Sequence, residues 1–344
     1  MPTAGTSARK DDHIRINLEE DVTFATTTTG LEDYRFVHQA LPGIDLADVD
    51  PATHFLGHAL SMPLLISSMT GGTVRAGEIN RTLAAAAQEA CIGMGLGSTR
   101  VILEHPELAW TFKVRDVAPD ILLFANLGAV QLNYGYDVDA CRRLVDVTQA
   151  DALYLHLNPL QEAVQPEGDS RFAGLLRKIE TVCRHLDVPV VVKEVGWGLS
   201  DGAARLLLSA GVSALDVAGA GGTSWSQVEY YRQTSASGRE ITAAFHEWGI
   251  PTEESIRMVR DVDVDIPLVA SGGLKTGIDI AKCIALGADC GSLAGVMLRA
   301  AAESPEALRE RIHIIRQQLT IAMFATGSAT LGDLRAAELL VDRA

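Results

Sequence analysis

A chain of 344 residues with 47% hydrophobic composition can bury one large core, and single-domain α/β barrels reach this length, so a second domain is not required. Its 44 acidic against 29 basic residues give a formal net charge of −15, which repels phosphate backbones and anionic bilayers and removes nucleic acid and membrane surfaces from the expected partners. A small anionic ligand stays open, because a few Lys and Arg side chains set the field inside a cleft.

The polar opening "MPTAGTSARKDDHIRI" has no apolar h-region, and no window approaches a membrane-spanning run. A soluble cytoplasmic protein is expected. Residues 1–62 read as an N-terminal extension lying across one end of the domain that follows. Cys91, Cys141, Cys183, Cys283 and Cys290 lack any C-x-x-C spacing and read as small buried apolar residues.

From Pro63 onward, over 63–344, short apolar β-type runs alternate with segments of helical period. The strand candidates are PLLISSM, GMGLGS, ILLFANL, ALYLHL, VPVVVKEV, ALDVAG, PLVASGG and CGSLAG. Between them lie helix candidates such as "EINRTLAAAAQEA", "DVDACRRLVDVTQ", "LLRKIETVCRHL", "DGAARLLLSAG" and "GIDIAKCIALGA". Near-continuous apolar strands belong in a parallel sheet covered on both faces. Eight βα units favour an α/β fold of the (β/α)8 TIM barrel type with an N-terminal extension, the competitor being an open doubly wound sheet. The stretch 221–252 is long for a βα connection and reads as a functional lid.

In such a barrel the chemistry sits where strands end, and nearly every strand here ends on polar residues. His156 and Asn158 are two apart on the fourth strand, so both can point into the mouth; the plain alternative is a satisfied polar layer. Pro159 stops strand pairing, placing Gln161 and Glu162 in the loop above. Glu162 becomes a Mg²⁺ ligand if a pyrophosphate sits beside it. Lys193 within "VVVKEV" is costly to bury without an anion, either a reduced flavin's N1/O2 edge or an acid on the neighbouring strand. "GGTS", "ASGGLK" and "SLAG" place small residues where strands six to eight meet their helices, a phosphate-binding location. Thr223, Gly273, Leu274, Lys275, Ala294 and Gly295 are the candidate phosphate cradle, with Ser67, Ser68, Met69, Ser98 and Asn126 lining the ring. Arg9, Lys10, His13, Arg15 and Arg100 suggest a second anion site, a diphosphate clamp.

These residues carry a resemblance. Through "RKDDHIRI", "SSMTGG", "GSTR", "ANLGA", "HLNPLQEAVQPEGD", "KEVGWG", "GAGGTSW" and "ASGGL", the chain resembles type 2 isopentenyl-diphosphate delta-isomerases, which are FMN-dependent (β/α)8 barrels. The match runs nearly end to end, and "RK" combined with "HLN..QE" is specific to that family among flavin barrels. The resemblance implies reduced FMN, Mg²⁺, NADPH as reductant, an isoprenoid diphosphate substrate and a homo-oligomer, tetramer or octamer. It implies a 1,3-proton shift interconverting isopentenyl and dimethylallyl diphosphate in isoprenoid biosynthesis. Substrate binding would fall on Arg9, Lys10, His13, Ser98, Thr99, Arg100, His156, Asn158 and Gln161. Catalysis would fall on Gln161, His156 and Asn158, and metal binding on Glu162. Whether Gln161 or the flavin N5 moves the proton is left open. One departure is Trp197, where the family more often has phenylalanine. The competing functions are an FMN-dependent 2-hydroxy-acid oxidase or dehydrogenase and a non-catalytic flavin- or phosphate-binding barrel. The oxidase would want a histidine base and carboxylate-binding arginines at strands six to eight, where only His246 in the sixth loop offers itself.

Overall fold

The computed structural model describes residues 4–341, with side chains from Lys10 onward. Eight parallel strands form a closed ring: Leu64–Ile66, Gly93–Gly95, Leu123–Gly128, Ala152–His156, Val190–Lys193, Ala214–Asp216, Leu268–Ser271 and Cys290–Leu293. Each pairs with its neighbour in sequence, and the eighth pairs with the first, Ser292 opposite Leu65. That last pairing rules out the open sheet. Each strand falls inside one of the apolar runs, the third running one residue past its run to Gly128, because a residue in this ring faces either the interior or the helices and never water.

The predicted helices form the outer layer, among them Val74–Ala90, Val138–Thr148, Leu175–His185, Asp201–Ser209 and Gly277–Ala285. The third shows why: Leu175, Ile179 and Val182 recur at helical spacing and are its buried residues. Thr73, Asp137, Ser200 and Thr276 cap the other four, each side chain accepting a first-turn N–H. Each cap contributes about 1 kcal/mol.

Inside the ring, Leu65, Leu122, Phe124, Ala152, Tyr154, Val191, Ala214, Val269 and Cys290 make one buried cluster, with Phe124 stacked on Tyr154 at 4.4 Å. Two residues further along the same strands, and so on the same face, stand Ser67, Asn126, His156, Lys193, Asp216, Ser271 and Ser292. The filling therefore changes from apolar to polar at the C-terminal mouth.

The N-terminal extension divides between the two barrel ends, which corrects the expectation of one end. A hairpin, Thr53–Phe55 with His58–Leu60, inserts Phe55 and Leu60 into the interior cluster and plugs the N-terminal end. Leu56 and Gly57 both have positive φ, as its two-residue type I′ turn requires. The helix Ala4–Glu19 and the segment after it instead reach the C-terminal mouth. There Thr23 bridges Thr223, and the Ser224 N–H donates to the Val22 carbonyl at 2.8 Å. The barrel has two ends to cover, and one chain segment covers both. The long sixth connection is built, too, from helices Trp225–Arg232 and Ala236–Ala243.

Two arginine clamps close the N-terminal side of the ring. Arg115 donates from Nε to the Gln149 carbonyl, from Nη1 to the Ile121 carbonyl and from Nη2 to Asp151, whose carboxylate also accepts the Leu123 N–H. Arg260 does the same with the Gly287 and Ile266 carbonyls, Asp289 and the Leu268 N–H. Among the described residues no helix is long and apolar enough to cross a membrane. All five cysteines are free; Cys141, Cys283 and Cys290 are buried as expected, whereas Cys91 is exposed at a helix C-cap with φ of 50°.

Candidate active site

The mouth holds a cavity of about 300 Å³, at the lower end of small-molecule site volumes. On one side it is floored by backbone. A Cβ on Gly222 would come within 2.5 Å of the Gly273 N, so the sixth and seventh loops touch main chain to main chain and leave a flat shelf without side chains. Beside it the helix Gly295–Glu303 begins at Ala294, and its first N–H groups have no intrahelical partner. Lys275 and Arg299 also line this end, with no side-chain partner among the described residues. Thr223, Gly273, Leu274, Lys275, Ala294 and Gly295 all line the cavity.

Ser67, Ser68, Met69, Ser98, Asn126 and Lys193 line the adjoining wall. Lys193 is 5% exposed and its Nζ donates to the Glu194 carbonyl at 2.5 Å. In register beside it is Asp216, fully buried, whose Oδ1 accepts from Ser271 Oγ at 2.5 Å while Oδ2 has no partner among the described residues. Burial pushes the Asp216 carboxyl up, against the pull of the Lys193 charge. Glu194 Oε2 gathers three consecutive N–H groups, of Val195, Gly196 and Trp197, at 2.6–2.8 Å, and so shapes the fifth loop. Burial still raises its carboxyl to about 7. Trp197 packs behind that loop against Phe24 and Ala220 and does not line the cavity.

The fourth strand supplies the opposing chemistry. His156 Nδ1 lies 2.7 Å from Asn126 Oδ1, so Nδ1 carries the proton and Nε2 is the acceptor. Burial, then the charges of Lys193 and Arg100, push this imidazole down to about 3. It is neutral at physiological pH. Gln161 and Glu162 stand on a short helix, Pro159–Val164, and not in a loop, because a proline that ends a strand is also suited to the first turn of a helix. Asn158 Nδ2 donates to Gln161 Oε1 at 3.1 Å and to Glu162 Oε1 at 2.9 Å. Gln161 Nε2 donates to Glu229 Oε1 at 3.1 Å. Glu162 Oε2 accepts from Gln165 Nε2 and the Asp169 N–H, while Oε1 has one donor among the described residues.

Basic side chains complete the rim. Lys10 Nζ donates to the Ser98 carbonyl at 3.1 Å and lies 5.2 Å from the Phe112 ring centre. His13 Nε2 is 3.2 Å from Glu229 Oε1 and meets Trp225 edge-on. Arg100 lines the cavity and pairs with Asp169 and Glu104. Thr99 stands behind this wall, fully buried, its hydroxyl and N–H both given to the Asn126 carbonyl. The Arg9 side chain lies outside the described residues, and Arg15 forms exposed pairs with Asp12 and Glu19.

The residues fit a flavin mononucleotide. Ser68 Oγ, Asn158 Oδ1 and Ser292 Oγ are buried cavity-lining atoms without a partner among the described residues, and the shelf with its two cations suits a phosphate. They also fit Mg²⁺ held through one carboxylate, Glu162. Among the described residues no group of three His, Cys, Asp or Glu could hold a metal, so substrate oxygens and water would fill the shell. The sequence reading missed Gln131, Asp169, Trp225, Glu229 and Arg299. Asp169 lay within the "HLNPLQEAVQPEGD" stretch, and the i,i+3 spacing of Glu229 and Arg232 was a signal for a paired acid.

The chain matches the family described as FMN-dependent dehydrogenase over residues 6–104 and 155–341. It is 54% identical over 333 residues to an isopentenyl-diphosphate delta-isomerase of Nostoc sp., covering 97% of this chain and 95% of the relative. It is 55% identical over 331 residues to one of Rickettsia felis, covering 96% of each. A mandelate oxidase structure with (S)-2-phenylpropionate superposes at a TM-score of 0.67 over 98% of each chain, at 18% identity, which speaks to the fold alone.

Proposed function

The chain belongs to the isopentenyl-diphosphate delta-isomerase family, and from that premise we propose that it interconverts isopentenyl and dimethylallyl diphosphate over reduced FMN, with Mg²⁺ on the diphosphate. One observation carries the reading: a single cavity sets Lys10 and Arg100 beside the Asn158, Gln161 and Glu162 cluster, with Lys193 and the glycine shelf on the remaining wall.

When bound, FMN would supply a reduced, electron-rich ring beside the alkene, the chemistry the proton shift requires. Ser67, Ser68, Met69, Asn126 and Lys193 would hold that ring, and Thr223, Gly273, Leu274, Lys275, Ala294 and Gly295 its phosphate. Arg100 and Lys10 would bind the diphosphate oxygens, assisted by Arg9, His13 and Ser98, while Thr99 acts through the backbone it caps. Glu162 would offer Oε1 to the metal. Gln161 is fixed at both ends of its amide, by Glu229 and Asn158, so its plane is set before substrate arrives. With the imidazole neutral and its Nδ1–H engaged, His156 would orient substrate through the Nε2 lone pair rather than donate a proton.

The hydroxy-acid oxidase reading has less support. His246 does not line the cavity; it meets Tyr230 edge-on at 5.4 Å, and burial lowers its pKa. A non-catalytic barrel would not need the cation and amide set. The test is electron stoichiometry under anaerobic conditions, with FMN reduced once by NADPH and Mg²⁺ present. Allylic product should form without further reductant consumption and carry deuterium from deuterated water. NADPH use in proportion to product, or no allylic product, would refute the proposal.

A further inference from the structure

Arg100 and Glu162, the two groups assigned to the diphosphate and its metal, are joined by one residue. Asp169 Oδ2 accepts from Arg100 Nη1 at 3.1 Å and from Gln131 Nε2 at 2.9 Å, while the Asp169 N–H donates to Glu162 Oε2 at 2.6 Å. A second acid holds the same arginine, Glu104 Oε1 lying 3.4 Å from Nε and accepting from Tyr136 Oη at 2.8 Å. Glu104 at Nε and Asp169 at Nη1 flank the guanidinium from two sides, and Nη2 between them has no partner among the described residues. The guanidinium is therefore braced on both flanks with Nη2 left open. The loop carrying Asp169 is itself fixed: a Cβ on Gly168 would fall 1.7 Å from the Glu162 carbonyl oxygen, so only glycine lets the chain fold back this closely.

We propose that Asp169 is a positioning residue that sets the plane of Arg100 and the carboxylate of Glu162 together, so that cation and metal ligand are spaced for a diphosphate before it binds. The inference rests on the functional reading above. An acid that only occupied Arg100 until substrate displaced it would need freedom to swing away. Asp169 lacks that freedom, with a side chain 26% exposed, a second bond to Gln131 and a tethered backbone.

The two roles differ in sign. With the reduced holoenzyme and Mg²⁺, Asp169→Ala should raise KM for isopentenyl diphosphate about 10- to 100-fold, the range for losing a charge-assisted hydrogen bond, and change kcat little. Binding of inorganic pyrophosphate with Mg²⁺, read by calorimetry, should weaken in parallel. In an Arg100→Lys background the same substitution should move KM by less than about twofold, because there is no guanidinium left to orient. A KM that is unchanged or lower, or an equal rise in both backgrounds, overturns the proposal. Should Asp169→Ala not fold with FMN bound, Asp169→Asn, which keeps an acceptor oxygen without the charge, carries the same comparison with a smaller rise expected. A wild type making no allylic product would remove the functional reading, whereas an active wild type with an insensitive variant removes this inference alone.

Discussion

Glu229 offers the sharpest test of how the site is held. Its side chain is fully buried and its two oxygens serve three residues: His13 at 3.2 Å, Gln161 at 3.1 Å and Arg232 Nη1 at 2.5 Å. Burial opposes its charge, but His13, Arg232 and Gln161 together hold its carboxyl below the ordinary value. Glu229→Gln keeps the shape and removes the charge, leaving the 9%-exposed Arg232 with the exposed Glu167 at 3.4 Å as its one acidic partner among the described residues. Breaking a buried pair from one side costs about 3–5 kcal/mol. At about 2.1 cal/mol/K per residue, 344 residues give an unfolding entropy of about 0.7 kcal/mol/K, so the melting temperature should fall by about 4–7 °C. Replacing both partners, Glu229→Leu with Arg232→Met, should cost less than the sum of the single changes. Thermal melts of the FMN-loaded proteins read this directly, and kcat should fall in Glu229→Gln because Gln161 loses its charged anchor. A shift of under about 1 °C would mean that Glu229 is only one acceptor among several and would refute the reasoning.

Lys193→Met should lower the flavin midpoint potential, since the lysine's charge favours an anion that exists only after reduction; an unchanged potential would assign Lys193 to Asp216 alone. Glu162→Gln should raise the Mg²⁺ concentration needed for half-maximal activity while FMN content stays at wild-type level, and loss of FMN would contradict the assignment. His156 should remain in the Nδ1–H form at pH 5 in ¹⁵N-edited spectra, because its folded pKa is about 3 against an ordinary 6.5. The unfolded chain takes up that proton first, so the stability His156 contributes is present above pH 6.5 and lost as pH falls from there toward 3. A titration midpoint near 6 would show the ring is not sealed from water.

The ring of strands was legible because each one is buried on both faces and so leaves an unbroken apolar run; Leu123–Gly128 is buried at all six positions. Closure was expected from the count of eight βα units, but the pairing that makes it, Ser292 with Leu65 across most of the chain, leaves no local signal. The division of the extension was hidden for a similar reason. Phe55 and Leu60 look like any short hairpin until the barrel offers an open end. At the site His156 was readable from its strand-end position, whereas Asn158, expected on the same strand, lies beyond it as the cap residue of Pro159–Val164 and still lines the cavity. Glu229 was not readable, because its importance comes from His13 and Gln161, 216 and 68 residues away. Thr99 shows the opposite error: next to Ser98 and Arg100 in sequence, it turns its hydroxyl into the wall.

The arginine clamps carry a consequence for the symmetry of the molecule. Arg115 and Arg260 each reach a carbonyl six residues ahead, a carbonyl two residues before the paired aspartate, and that aspartate itself, which accepts the first N–H of the clamped strand. The residues they bridge lie just before strands three and four in one case and seven and eight in the other, so the clamps are diametrically opposed on an eight-strand ring. The two clamps are thus half a turn apart about the bore. The other rim does not share that likeness. Strands two to four carry Arg100, Asn126, His156, Asn158 and Gln161, whereas strands six to eight carry the glycine shelf, Lys275 and Arg299. The same latch thus holds opposite sides of the ring at its N-terminal end, while at the C-terminal mouth those two sides present different side chains.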